Sequence, residues 1–181
     1  PKGLLELRIF EIRYLDMIKD CLKQQKEFGV VLIKAGSENT IDLDIEEIGT
    51  LAKIVSFDQG ADGLLHITVQ GTEPVQINSY DVERNGLIVG RTQRHLTLNE
   101  EILGSHSKLV SLLKKILANN QELDTLTLQL LGEASWVAYR LAEFLELTNQ
   151  EKLIVLAESN AHRKLDKVEK LIQHRNSDYQ K

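Results

Sequence analysis

The apolar residues near the start of the chain change period within a few positions. Residues 4–9 alternate loosely, as in a strand. From Phe10 onward the apolar positions are Phe10, Tyr14, Met17, Ile18, Cys21 and Leu22, which share one face of a helix. Arg8, Glu11, Arg13, Asp16, Lys19, Asp20 and Lys23 form the polar remainder. This segment predicts a strand that ends and a helix that begins against the sheet to come. Residues 30–33, Val-Val-Leu-Ile, are a continuous apolar run next to a glycine and read as a buried strand. Residues 35–39 read as a loop. Ile41-Asp42-Leu43-Asp44-Ile45-Glu46 alternates apolar and acidic side chains, as an edge strand or an extended lobe over the sheet would.

Residues 49–58, 64–70, 75–83 and 87–94 follow as strands. Turn signals separate them: residues 59–63 with Asp62-Gly63, then Gly71 to Pro74, then Asn85-Gly86. An Asp-Gly or Asn-Gly pair favours a hairpin because glycine tolerates positive φ. The result is an antiparallel meander suggestive of a small barrel or pseudo-barrel. At about Thr97 the texture changes. Ile102, Leu103, Leu109, Leu112, Leu113, Ile116 and Leu117 form a helical stripe, and the leucine-rich residues 123–131 read as helical. Ala134, Val137, Ala138, Leu141, Ala142 and Leu145 form another stripe, flanked by Trp136, Tyr139 and Phe144. Thr148-Asn-Gln-Glu151 is a capping box. Ser159-Asn160 caps a last helix carrying Leu165, Val168, Leu171 and Ile172. The expected fold is α+β, with a β subdomain over residues 1–96 and a helical bundle over residues 97–181.

Charge and composition narrow the function classes. The 181 residues carry a net charge of −5 with both signs spread along the chain, so a phosphate backbone is an unlikely partner. A single cysteine, Cys21, excludes an internal disulfide and fits a reducing compartment; its place on the apolar face reads as a buried small hydrophobe. No apolar run nears the ~20 residues that span a bilayer, and no basic-then-apolar leader precedes the fold. The expectation is a cytoplasmic protein without a membrane partner. The start at Pro1-Lys2-Gly3, without methionine, reads as a trimmed product.

No pattern for chemistry is complete. A phosphate-cradling glycine loop with its lysine is missing, and the glycines at 60, 63, 86 and 90 lie at hairpins. Ser105-His-Ser-Lys108 matches a serine-x-x-lysine pattern but lacks its partner motifs and reads as a helix start. The histidines at 66, 95, 106, 162 and 174 show no metal-ligand spacing. Asp42, Asp44 and Glu46 lack the rest of a calcium loop. Arg84, Arg91, Arg94 and His95 cluster on the second hairpin with Tyr80 as their one aromatic, which reads as a solvated strand face. No cofactor, metal or enzymatic activity is expected.

Several blocks, taken in order, resemble the N-terminal domain of Lon-type ATP-dependent proteases, and more closely the stand-alone bacterial proteins made of that domain. They are Leu7-Arg-Ile-Phe-Glu-Ile-Arg-Tyr14, Phe28-Gly-Val-Val-Leu-Ile33, Ile48-Gly-Thr-Leu-Ala-Lys-Ile54, Asp62-Gly-Leu-Leu-His-Ile-Thr-Val69, Ala134-Ser-Trp-Val-Ala138 with Arg140-Leu-Ala-Glu143, and Glu151-Lys-Leu-Ile-Val-Leu156. The resemblance implies a PUA-like antiparallel β pseudo-barrel with one helix, then a helical bundle. It also implies recognition of unfolded or tagged substrates. The ATPase and serine–lysine peptidase modules of that family are not found in these residues. The family has an apolar strand ahead of the first block, and this chain starts at or after its end, which would leave a pairing edge open.

The sequence thus points to a non-enzymatic module for unfolded or flexible polypeptide, with self-association as a second partner reading. Binding would use apolar contact or strand addition. Ile41, Leu43 and Ile45, and the helical pair Trp136 and Tyr139, are the candidate peptide-binding residues. On that reading, serine at positions 43 and 45 weakens binding without lowering stability. The alternative is an RNA-binding or small-ligand role, which PUA-like sheets also support.

Overall fold

The computed structural model describes residues 1–36, 43–97 and 100–178. It divides into two compact units, Pro1–His95 and Leu96–Lys181. The first holds β1 (Leu4–Ile9), α1 (Ile12–Gln24), β2 (Phe28–Ala35), β3 (Asp44–Gln59), β4 (Leu65–Val82) and β5 (Ile88–Arg94). All the strand pairings are antiparallel, in the order β1-β4-β3-β2, and β5 also pairs with β4. β3 takes one edge of β4. β1 and β5 lie end to end along the other, against residues 65–70 and 75–82. Among the described residues the ends of the order, β1 and β2, are not paired with each other, so the sheet is not closed into the expected pseudo-barrel.

The break expected at Gly71 to Pro74 is instead the middle of one long strand. Ala52 faces Gly71 while Thr50 faces Pro74, so a bulge absorbs one extra residue of β4. Proline fits there because it has no N–H to leave unpaired. Its carbonyl accepts from the His95 amide at 3.0 Å. In both hairpins only the glycine enters the left-handed region, Gly63 at φ 78° and Gly86 at φ 84°, the conformation in which a side chain is disfavoured.

The sheet carries two apolar clusters. α1 lays Ile18 on Ile9, Ala52, Ile67 and Val69, with Leu7, Tyr14, Leu15, Met17, Phe28 and Val30 around them. Cys21 is buried, as its place on the helix suggests, and burial pushes its thiol pKa up. Three positions depart from the sequence reading. Leu22, placed on the apolar face, is exposed. Phe10 precedes α1 and projects outward, while Arg13, assigned to the polar remainder, is buried. The second cluster joins Leu43, Ile45 and Ile77 to Val31, Ile33, Tyr80 and Ile88.

The second unit opens with a 3-10 turn (Gly104–His106), followed by α2 (Ser107–Asn119), α3 (Thr125–Leu130), α4 (Ala134–Phe144), α5 (Asn149–Leu156) and α6 (Ala161–Asp178). α4 touches α2, α5 and α6. Leu113, Leu117, Val137, Leu141, Val155, Leu165 and Val168 are fully buried in their shared core. Both expected caps are formed. The Glu151 amide donates to Thr148 Oγ1 at 3.2 Å while the Thr148 amide donates to Glu151 Oε2 at 2.7 Å, and the Arg163 amide donates to Asn160 Oδ1 at 2.9 Å. Ile102 and Leu103 fall before the helix they were expected to join, because Glu101 instead forms an isolated antiparallel bridge with Glu133.

Candidate functional site

The alternation of β4 and its neighbours places Leu7, Ile67 and Phe57 in one row across the sheet, and Ile9, Leu65 and Gln59 in the next. Both rows lie on the face that α1 covers. The helix reaches Ile67 but leaves Phe57 61% exposed, and Phe10, at the turn into α1, is 67% exposed. Between them opens a cleft of about 490 Å³ lined by Ile9, Phe10, Leu15, Phe57, Asp58, Gln59, Gly63, Leu64 and Leu65. Asp58 is in register with His66 and Arg8, so alternation turns its carboxylate to the opposite face from Phe57. The side chains offered to the cleft are therefore mainly apolar. Ile12, beside it in sequence, is also exposed.

The hairpin that forms one wall is held by its own polar contacts. Asp62 Oδ1 accepts from the Leu64 amide at 3.0 Å, and both Asp62 oxygens lie 3.2 Å from His66 Nε2. The Leu64 amide, and then His66, hold the Asp62 carboxyl below its ordinary pKa. These bonds fix the loop that presents Leu64 and Leu65.

Leu43 and Ile45 are brought together, but as core: both are buried beside Ile77, and the Leu43 carbonyl accepts from the Tyr80 hydroxyl at 2.9 Å. Ile41 lies outside the described residues. Trp136 is buried in the core around α4. Tyr139, on the same helix, is half-buried; its phenol oxygen accepts from Lys164 Nζ, which also lies 3.9 Å from the ring centroid. Phe10, Phe57, Leu64 and Leu65 were not singled out by sequence. Each sits where an ordinary strand or helix pattern accounts for it. The only available signal was a large aromatic at the end of an element.

A further set of titratable groups belongs to the second unit. His106 and His162 stack with ring centroids 5.8 Å apart. His106 Nε2 is 2.8 Å from Asp166 Oδ1, and His162 Nε2 is 2.9 Å from Glu100 Oε2. Ser105 Oγ stands 3.4 Å from His106 Nδ1, which completes a serine–histidine–aspartate order. That contact exceeds the ~2.6–3.2 Å of a nucleophile and its base. Among the described residues no group of three or more His, Cys, Asp or Glu could hold a metal ion. Among them, no helix is long and apolar enough to cross a membrane. Of the hairpin arginines, Arg94 is paired with Glu73 at 3.0 Å.

Solved structures match most of the chain. The crystal structure of a Lon N-terminal domain protein from Xanthomonas campestris is 33% identical, with a TM-score of 0.78 over 93% of this chain and 89% of that one. The N-terminal domain of a Mycobacterium avium complex Lon protease shares the fold at 16% identity, with a TM-score of 0.58 over 93% of this chain and 88% of that one. No curated protein matches. The family described as the ATP-dependent protease La (LON) substrate-binding domain matches residues 1–174, and the chain belongs to that family.

Proposed function

We propose that this chain is a non-enzymatic module that binds extended or unfolded polypeptide, and that the cleft between Phe10 and Phe57 receives its large apolar side chains. The observation that carries this is the pair of exposed phenylalanines walling an apolar cleft in a member of a substrate-binding family. A ring that stays in water in the free protein gains about 1.5–3 kcal/mol when a partner covers it fully. The cleft is open to solvent and its lining side chains are mainly apolar, so it suits a chain segment better than a charged metabolite. Such a module holds or presents substrate.

Titration of the isotope-labelled chain with a permanently unfolded casein, followed by amide chemical shifts, tests this. The expected shifts fall on Phe10, Leu15, Phe57, Leu64 and Leu65. Shifts confined to the second unit, or no binding, would overturn the reading.

A further inference from the structure

We propose that Arg13 is a positioning residue for this cleft: its guanidinium pins the first turn of α1 to the β4–β5 hairpin and so fixes the wall that carries Phe10 and Leu15. This rests on the polypeptide-binding reading. The start of α1 has no ordinary fastening. Its N-cap, Glu11, makes no side-chain cap bond, and the first turn holds no acidic residue to meet the helix dipole. Arg13 supplies a long-range hold in its place. It is 6% exposed, in a helix whose other charged side chains are not buried. Its Nη1 donates to the Gly86 carbonyl at 2.6 Å, and its Nη2 reaches Glu11 Oε2 at 2.8 Å. The guanidinium carbon also lies 4.7 Å from the Tyr14 ring centroid. One planar fork thereby joins the residue before the helix, the helix itself and a loop 73 positions away.

The hairpin is shaped for this contact. Gly86 is in the left-handed region at φ 84°, and a Cβ there would stand 2.8 Å from Arg13 Nη1. The carbonyl and the missing side chain together make the seat for the guanidinium. Phe10 lies just ahead of the pinned turn and Leu15 just after it, so their spacing from Phe57 depends on where that turn is held. An ammonium at position 13 keeps the charge but lacks the planar fork that serves Gly86 and Glu11 at once and meets Tyr14 with its face.

The test compares Arg13→Met and Arg13→Lys with the wild-type chain, far below the melting temperature. Without ligand, hydrogen exchange is read at the Tyr14 and Leu15 amides, which both donate to the Glu11 carbonyl at 3.0 Å. Affinity for fluorescently labelled unfolded casein is then measured. The expected result for Arg13→Met is about tenfold faster exchange at those two amides and about tenfold weaker binding, with exchange at Ile67 and Val69 unchanged. Arg13→Lys is expected to recover part of both losses, and it decides the matter if Arg13→Met does not fold. A lower melting temperature with wild-type exchange at Tyr14 and Leu15 and wild-type affinity would overturn the proposal, leaving Arg13 a purely structural residue. If the wild-type chain binds no casein, the polypeptide reading fails and the positioning role with it. The exchange arm, read without ligand, still reports separately whether Arg13 holds the helix start.

Discussion

Phe57 stands directly opposite Ile67 across the β3–β4 ladder, on the same face of the sheet, yet Ile67 is 2% exposed and Phe57 61%. The difference is where α1 runs. The helix covers the middle of the apolar face and leaves its outer column uncovered. A core that needed Phe57 would have buried it. That exposure is what the proposed polypeptide site rests on.

That relationship predicts the effect of removing the ring. Phe57→Ser should leave thermal stability within about 0.5 kcal/mol of wild type, the range usual for surface changes. Thermal unfolding measured by calorimetry checks this. A loss of several kcal/mol would show that Phe57 belongs to the core.

Leu43→Ser behaves in the opposite way. The side chain is buried against Ile45 and Ile77. Truncation leaves a cavity and places a hydroxyl in it, for a loss of about 3 kcal/mol. Chemical denaturation should show a lower midpoint with an unchanged slope. Sequence alone points to unchanged stability for serine at positions 43 and 45 together; the burial of both side chains predicts a loss.

The contrast between positions 43 and 57 shows what the sequence carries. Periodicity located the strands, α1 and the core of α4, because a buried face repeats at 2 or 3.6 residues wherever it occurs. The Thr148–Glu151 box was legible because its two partners are three residues apart. Exposure of a particular apolar side chain was not legible. Leu43 and Ile45 alternate with acids and look like an edge, while Phe57 looks like any strand interior. Which of them is covered depends on where α1 and distant strands pack. Arg13 was missed for the same reason: its seat, Gly86, lies on a hairpin far along the chain.

Lys164 predicts an alkaline rise in stability. It is fully buried, and burial pushes its ammonium pKa down to about 8 from 10.5, against the pull of Glu158. Between those values the unfolded chain holds a proton that the folded chain has released, so stability rises with pH across that window; below about 8 the group is charged in both states. Burial raises the pKa of the Tyr139 phenol, so above about 10 the unfolded chain ionises first and the gain reverses. Urea denaturation at pH 7 and pH 9 should show an increase of about 1–2 kcal/mol in the wild type. Lys164→Met should be at least as stable at pH 7, because an apolar chain of similar length replaces a desolvated charge, and its rise should be absent. An equal rise in both proteins would contradict this.

The α5 cap is a smaller test. Thr148→Ala removes the acceptor for the Glu151 amide and should cost about 1 kcal/mol. The Thr148 backbone amide and then its hydroxyl donate to the Glu151 carboxylate and hold its pKa below the ordinary value; of these two bonds, alanine at 148 removes the hydroxyl bond alone. Their contribution is complete above the unfolded carboxylate range and is lost as pH falls through the folded value. The gap between wild type and Thr148→Ala, read by thermal melts from pH 7 to pH 3, should therefore narrow in acid.

The two exposed rings are expected to seat the apolar side chains of a polypeptide partner. Fluorescence anisotropy of labelled unfolded casein, titrated with the wild-type chain and with the Phe10→Ser/Phe57→Ser double variant, tests this directly. Saturable binding is expected for the wild type, with an affinity at least tenfold lower in a double variant of unchanged melting temperature. Equal affinity in the two proteins would contradict it.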